Sequence, residues 1–119
     1  MAIQQTPDLR IKSASISSGP PRKITFKFVS PFQATLYLGI LTLVENPQIN
    51  GFGGSLNPGS PTQAGNGTIQ VNPDKFGAFW NFLNHTPLTL VITYDDTNFT
   101  VTDMTLSSSQ DQPQPAITL

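Results

Sequence analysis

Residues 72–106 read NPDKFGAFWNFLN (72–84), HTP (85–87), LTLVITY (88–94), DDTN (95–98) and FTVTDMTL (99–106), and this stretch decides the fold. Asn72 suits an N-cap, Pro73 the first helical position and Asp74 the first turn, where the helix dipole favours an anion. Phe76, Phe79, Trp80 and Leu83 then follow the spacing of one buried helical face. The pattern predicts a short helix over 73–84, with Phe79 and Trp80 plugging the core and Gly77 weakening the helix interior by about 1 kcal/mol. Pro87 ends it. Leu88, Leu90, Ile92 and Tyr94 alternate with Thr89, Val91 and Thr93, which is a half-buried strand. After the DDTN turn, Phe99 and Val101 share one parity and Met104 and Leu106 the other, so a bulge is expected near Asp103.

Upstream the signals are strand and turn. Residues 1–8 read as a flexible arm. In residues 9–17, Leu9 and Ile11 have one parity and Ala14 and Ile16 the other, which places a bulge near Ser13. SSGPPR (17–22) is a turn, because its prolines fix φ and cannot donate to a ladder. Residues 23–29 form the cleanest strand, with Ile24, Phe26 and Phe28 on one face and Lys23, Thr25 and Lys27 on the other. Residues 34–44 form a third strand that is apolar on both parities. Leu36, Leu38 and Ile40 can face the core, leaving Tyr37, Leu41 and Leu43 in need of cover from elsewhere. Residues 45–67 contain three prolines and six glycines and read as a long mobile loop. The segment 107–119 reads as a low-complexity tail whose closing AITL could dock as an edge strand.

These elements predict a single β-rich domain over 9–106. The order strand, strand, strand, helix, strand, strand fits a small five-stranded Greek-key barrel of the oligonucleotide/oligosaccharide-binding type. A β-sandwich carrying one helix is the alternative. The 119 residues suffice for one core, and eight Phe give it something to pack. Charged residues are only 11% of the chain and the net charge is −1. With no cysteine, thiolate metal sites, thiol nucleophiles and disulfides are excluded. The longest apolar run, residues 36–44, is too short for a membrane helix. No basic region leads into an apolar run at the N-terminus, so no signal peptide is visible and a cytoplasmic location is the default expectation.

No constellation identifies a chemistry, and the chain is expected not to be an enzyme and to need no cofactor or metal. His85, the one histidine, lies between helix and strand without an obvious catalytic partner. Asp95, Asp96 and Asn98 offer oxygen ligands but match the residues a tight turn selects. GFGGSLNPGS (51–60) is glycine-rich yet lacks the Gly-Lys-Ser/Thr ending of a phosphate loop. Asn66, Asn84 and Asn98 fit the glycosylation acceptor pattern, as chance allows in so Asn- and Thr-rich a chain.

Five of the six basic residues (Arg10, Lys12, Arg22, Lys23, Lys27) precede residue 28, and six of the seven acids lie from Glu45 onward. The leading expectation is a self-assembling or partner-binding structural module, a homo-oligomer with Tyr37, Leu41 and Leu43 at its interface. The second is a carbohydrate or small-ligand binder using Phe52, Asn57, Gln63 and Asn66. The third is a single-stranded nucleic-acid binder through the basic first two strands.

Overall fold

The computed structural model describes residues 2–6, 9–19, 21–29, 36–83, 88–108 and 117–118. Its elements are β1 (Ile3–Gln5), β2 (Leu9–Ser17), β3 (Lys23–Phe28), β4 (Leu38–Glu45), β5 (Phe52–Asn57), β6 (Gly65–Val71), α1 (Pro73–Phe82), β7 (Leu88–Asp95), β8 (Val101–Ser108) and β9 (Ile117–Thr118). The strands form one strongly curled, barrel-like sheet in the order β5-β6-β4-β3-β2-β7-β8-β9, with β1 also on β7. The fold is therefore mainly β with one short helix. It has more than the five strands expected, because the segments read as arm, loop and tail also pair.

Alternation builds the core. Ile24, Phe26 and Phe28 are buried, as are Leu88, Leu90, Ile92 and Tyr94, while the intervening residues are half-buried or exposed. The two bulges lie where the parity changes place them. The β2–β3 register shifts between Ile11 and Ser13. The β7–β8 register shifts where Thr93 faces Asp103 and Tyr94 faces Val101, and Val101, Met104 and Leu106 are all buried as a result.

A third bulge was not foreseen, and it overturns the reading of 34–44 as two-faced. Leu38 pairs with Gly65 and Ile40 with Asn66, so β4 uses two residues where its partner uses one and changes parity. Leu36 and Leu38 face the core before the bulge, and Leu41 and Leu43 face it after. Ile40 is left at 39% exposure. The strand is greasy on both parities because it switches faces, not because both faces are covered. Residues 34 and 35 of this run lie outside the described residues.

The segment 45–67, expected to be mobile, instead supplies all of β5 and the start of β6, a hairpin paired from Phe52↔Val71 to Asn57↔Asn66. Its second strand, not its first, lies parallel to β4, so the connection across 46–51 passes the end of β6. There the Asn46 amide donates to the Val71 carbonyl at 2.9 Å, and the Asn72 amide to the Gly51 carbonyl at 2.8 Å. Gly54 and Gly67 serve close approach. A Cβ on Gly54 would collide with the Thr68 carbonyl oxygen, and one on Gly67 would lie 2.6 Å from Leu56 and 2.9 Å from Leu41. At its free side the hairpin meets β8 through the Ser55↔Thr100 bridge and the Leu56 amide, which donates to the Phe99 carbonyl at 2.8 Å.

The arm is also tied down. β1 pairs with β7 from Ile3↔Asp95 to Gln5↔Thr93, and β2 continues along β7 at Leu9↔Leu90 and Arg10↔Thr89. In the gap, the buried Thr6 hydroxyl accepts the Ile92 N–H at 3.0 Å while the Thr6 N–H donates to the Ile92 carbonyl at 2.9 Å. One side chain thus replaces a ladder bond that would otherwise leave a buried donor unpaired. In the tail, β9 pairs with β8.

Helix α1 starts as expected, with Asn72 Oδ1 accepting the Lys75 N–H at 2.9 Å and Pro73 in the first turn. It ends at Phe82, two residues early, and buries Phe76, Phe79 and Phe82. Trp80 and Leu83 only pack partly against the core, so Trp80 is a rim residue rather than a plug. The Arg22 guanidinium lies over Phe76 and Trp80, 5.1 and 5.2 Å from their ring centres, where the ring faces attract a cation. Arg22 also grips Glu45 with two bonds, Nε to Oε1 at 3.1 Å and Nη2 to Oε2 at 2.6 Å. The helix is thereby fastened to the ends of β3 and β4.

Candidate functional site

The expected site residues fall into two groups. Asn57, Gln63 and Asn66 come together at the tip of the β5–β6 hairpin. Asn57 Nδ2 donates to Asn66 Oδ1 at 3.1 Å, and Gln63 lines a shallow, mostly polar concavity of about 300 Å³ with Pro58, Gly59, Ser60 and Ala64. Phe52 does not join them. It is opposite Val71 at the far end of the hairpin, about 17 Å away at the usual rise of a strand, and packs against the core. The tip therefore has amides and hydroxyls but no aromatic platform from Phe52.

The expected interface residues are divided as well. Leu41 and Leu43 have no exposed surface within the single chain, so their side chains cannot meet a second copy. Tyr37 is half-buried, with a left-handed backbone (φ 51°) and its carbonyl accepting the Gly65 N–H at 2.7 Å. The Asp95 and Asp96 carboxylates organise their turn. Asp95 Oδ1 accepts the Thr97 N–H at 2.8 Å, and Asp96 accepts from the Ala2 N–H and Gln4 Nε2. Among the described residues no group of three His, Cys, Asp or Glu side chains could hold a metal ion. His85 and Asn84 lie outside the described residues.

The feature that sequence reading missed is β2 beyond its bulge. Residues paired across antiparallel strands share a face, so Ala14 opposite Phe26 and Ile16 opposite Ile24 point to the same side as the core. Phe26 and Ile24 are fully buried, yet Ile16 is 47% exposed and Ala14 is exposed too. The cause is an overhang. β7 begins at Leu88, opposite the position after Arg10, so among the described residues β2 runs past the end of its neighbour. Among the described residues, no strand pairs with the second edge of β2 from Ser13 to Ser17. Alternate N–H and C=O groups of that segment point outward, as on any strand edge. The Ala14/Ile16 parity was legible, but its exposure depended on where β7 starts.

The other face of the same strands is polar. Pairing aligns Ser15, Thr25, Thr42, Thr68, Ser55 and Thr100 in one row across five strands and the seam to β8. Cross-strand hydroxyl pairs of this kind stabilise a sheet modestly. Beside the row, Lys27 is opposite Ser13 and Lys23 opposite Ser17. Arg10 and Lys12 are also exposed, and Arg22–Glu45 is the only ion pair among the described residues.

Arg22 holds the Glu45 carboxyl below the ordinary glutamate range, chiefly through its hydrogen bonds, with desolvation opposing them. A carboxylate depressed in the folded state adds stability in full above its unfolded pKa, and that contribution disappears as pH falls through the folded value. Stability should therefore drop on acidification below the usual glutamate pKa, about 4.3. In Glu45→Gln that part of the drop should vanish. Urea midpoints measured from pH 6 to pH 3 check this, and parallel profiles for the two proteins would show the pair to be without effect on folding.

Among the described residues no helix is long and apolar enough to cross a membrane. No protein-family model, curated protein or solved structure matches the chain.

Proposed function

We propose that this is a non-enzymatic structural module that joins another polypeptide, a copy of itself or a partner, by strand addition at β2. The observation that carries the reading is the pairing of Ser13–Ser17 on one side only among the described residues, with Ile16 exposed on the core-facing side. An open edge is a template for another strand, and residues 13–17 themselves carry no charge, the nearby cations lying on the outer face of β2 and β3. A second apolar surface would cover Ile16 in the same step, whereas Ile3, Val29 and Ile40, the other large exposed hydrophobics, do not lie on that edge.

The frame supports a Greek-key reading. β2, β3 and β4 lie side by side in chain order and β7 returns next to β2, the arrangement of a Greek key. With α1 between β4 and β7, we read those strands and β8 as an oligonucleotide/oligosaccharide-binding type of barrel into which the β5–β6 hairpin is inserted. Such a frame hosts many functions and selects none. The amide-rich hairpin tip favours glycan binding as a second reading, without the stacking aromatic that Phe52 was expected to provide.

Sedimentation equilibrium at micromolar concentration tests the self-assembling form. An oligomer that Ile16→Lys converts to a folded monomer would support that form, because a lysine on an edge opposes strand addition. A wild-type mass that is monomeric at every concentration overturns that form.

A further inference from the structure

The strand edge of β2 has a charge as well as a shape, and the charge selects among occupants. Residues 9–29 contain Arg10, Lys12, Arg22, Lys23 and Lys27 and no Asp or Glu. Arg22 is matched by Glu45. The other four are exposed, and none of them is in an ion pair among the described residues. Lys23 and Lys27 project from the outer face of β3, opposite Ser17 and Ser13, the two ends of the open segment. Arg10 and Lys12 lead into it along β2 itself.

Resting on the strand-addition reading above, we propose that the occupant of the β2 edge is an extended acidic peptide segment of a partner protein. A second β2 would bring the same four cations to the seam, and like charges brought together across an interface disfavour it. An acidic strand meets them with opposite charge on the outer face and can place apolar residues over Ala14 and Ile16 on the inner face. Its side chains would alternate acid and aliphatic, as strand geometry requires. Single-stranded nucleic acid shares the attraction to lysines, but it cannot continue a backbone ladder. The polar row beside Lys23 and Lys27 also consists of Ser and Thr, without the aromatic rings on which bases stack.

Fluorescence anisotropy of the full chain with three labelled probes tests the proposal: a Val-Glu alternating peptide, the Val-Lys isomer and an oligothymidylate. The expected result is binding of the Val-Glu peptide alone, weakening as salt is raised, since screening acts on exposed charges. Lys12→Glu/Lys27→Glu should lower that affinity by roughly tenfold or more, with the melting temperature unchanged because both lysines are exposed. Ala14→Pro and Ser15→Pro form a further pair. Successive N–H groups of a strand point to opposite edges, so one of the two prolines leaves the β2–β3 ladder intact, and that folded variant should lose binding.

Equal binding of the Glu and Lys peptides, tightest binding of the oligothymidylate, or Val-Glu affinity unchanged in the charge-reversed variant would each overturn the acidic partner. If neither peptide binds while the wild type sediments as an oligomer sensitive to Ile16→Lys, the edge reading survives and the acidic occupant fails. If neither peptide binds and the protein is monomeric regardless of Ile16, both fail.

Discussion

Leu41→Lys should leave no folded protein. Leu41 is fully buried between β3 and β6, opposite Phe26 and Gly67. An ammonium group there would be desolvated without a partner, which costs several kcal/mol, a large part of the about 5–15 kcal/mol that holds a typical domain together. Circular dichroism should show loss of the sheet signal at room temperature, and sedimentation should show no compact species. A folded monomer with the wild-type melting temperature would place Leu41 on a surface, restoring the interface first expected for that parity.

Phe79→Ala should be the most damaging truncation in the helix, at about 3–5 kcal/mol, because the ring is wholly enclosed and its removal leaves a cavity. Trp80→Ala should cost clearly less despite removing more atoms. Trp80 packs only partly against the core and contributes through its contact with the Arg22 guanidinium, a kind of interaction measured at about 0.5–1 kcal/mol when exposed. Urea unfolding of the two variants side by side decides the matter, and a larger loss for Trp80→Ala would make the tryptophan the true plug.

What could be read from residues alone was local. The Asn72-Pro73-Asp74 start of the helix, the alternation from Ile24 to Phe28 and from Leu88 to Tyr94, and the parity changes beside Ser13 and Asp103 are all statements about neighbours in sequence. Errors arose where a distant strand decided the outcome. Leu41 and Leu43 looked outward until the bulge against Gly65 and Asn66 turned them inward. Gly54 and Gly67 read as part of a mobile loop, although they make room for the backbone of Thr68 and the side chains of Leu41 and Leu56. The candidate site followed the same rule. The parity of Ala14 and Ile16 was visible, but their exposure depends on which strand lies beside β2, and among the described residues β7 pairs with it only at Leu9 and Arg10, which no window of sequence around β2 contains.

The left-handed backbone of Tyr37 and Phe99 has a mechanical consequence. Both are non-glycine residues at positive φ, 51° and 57°, and each offers its carbonyl to the β5–β6 hairpin, Tyr37 to Gly65 and Phe99 to Leu56. A side chain held in that conformation stores strain of about 1–3 kcal/mol. The hairpin is therefore a wedge gripped by two loaded springs. Its departure would let both residues relax and would return part of the energy spent in breaking the contacts. Departure of the hairpin would also expose Leu56, Ile69 and Val71, which are buried in the core, so the returned strain offsets only part of the loss.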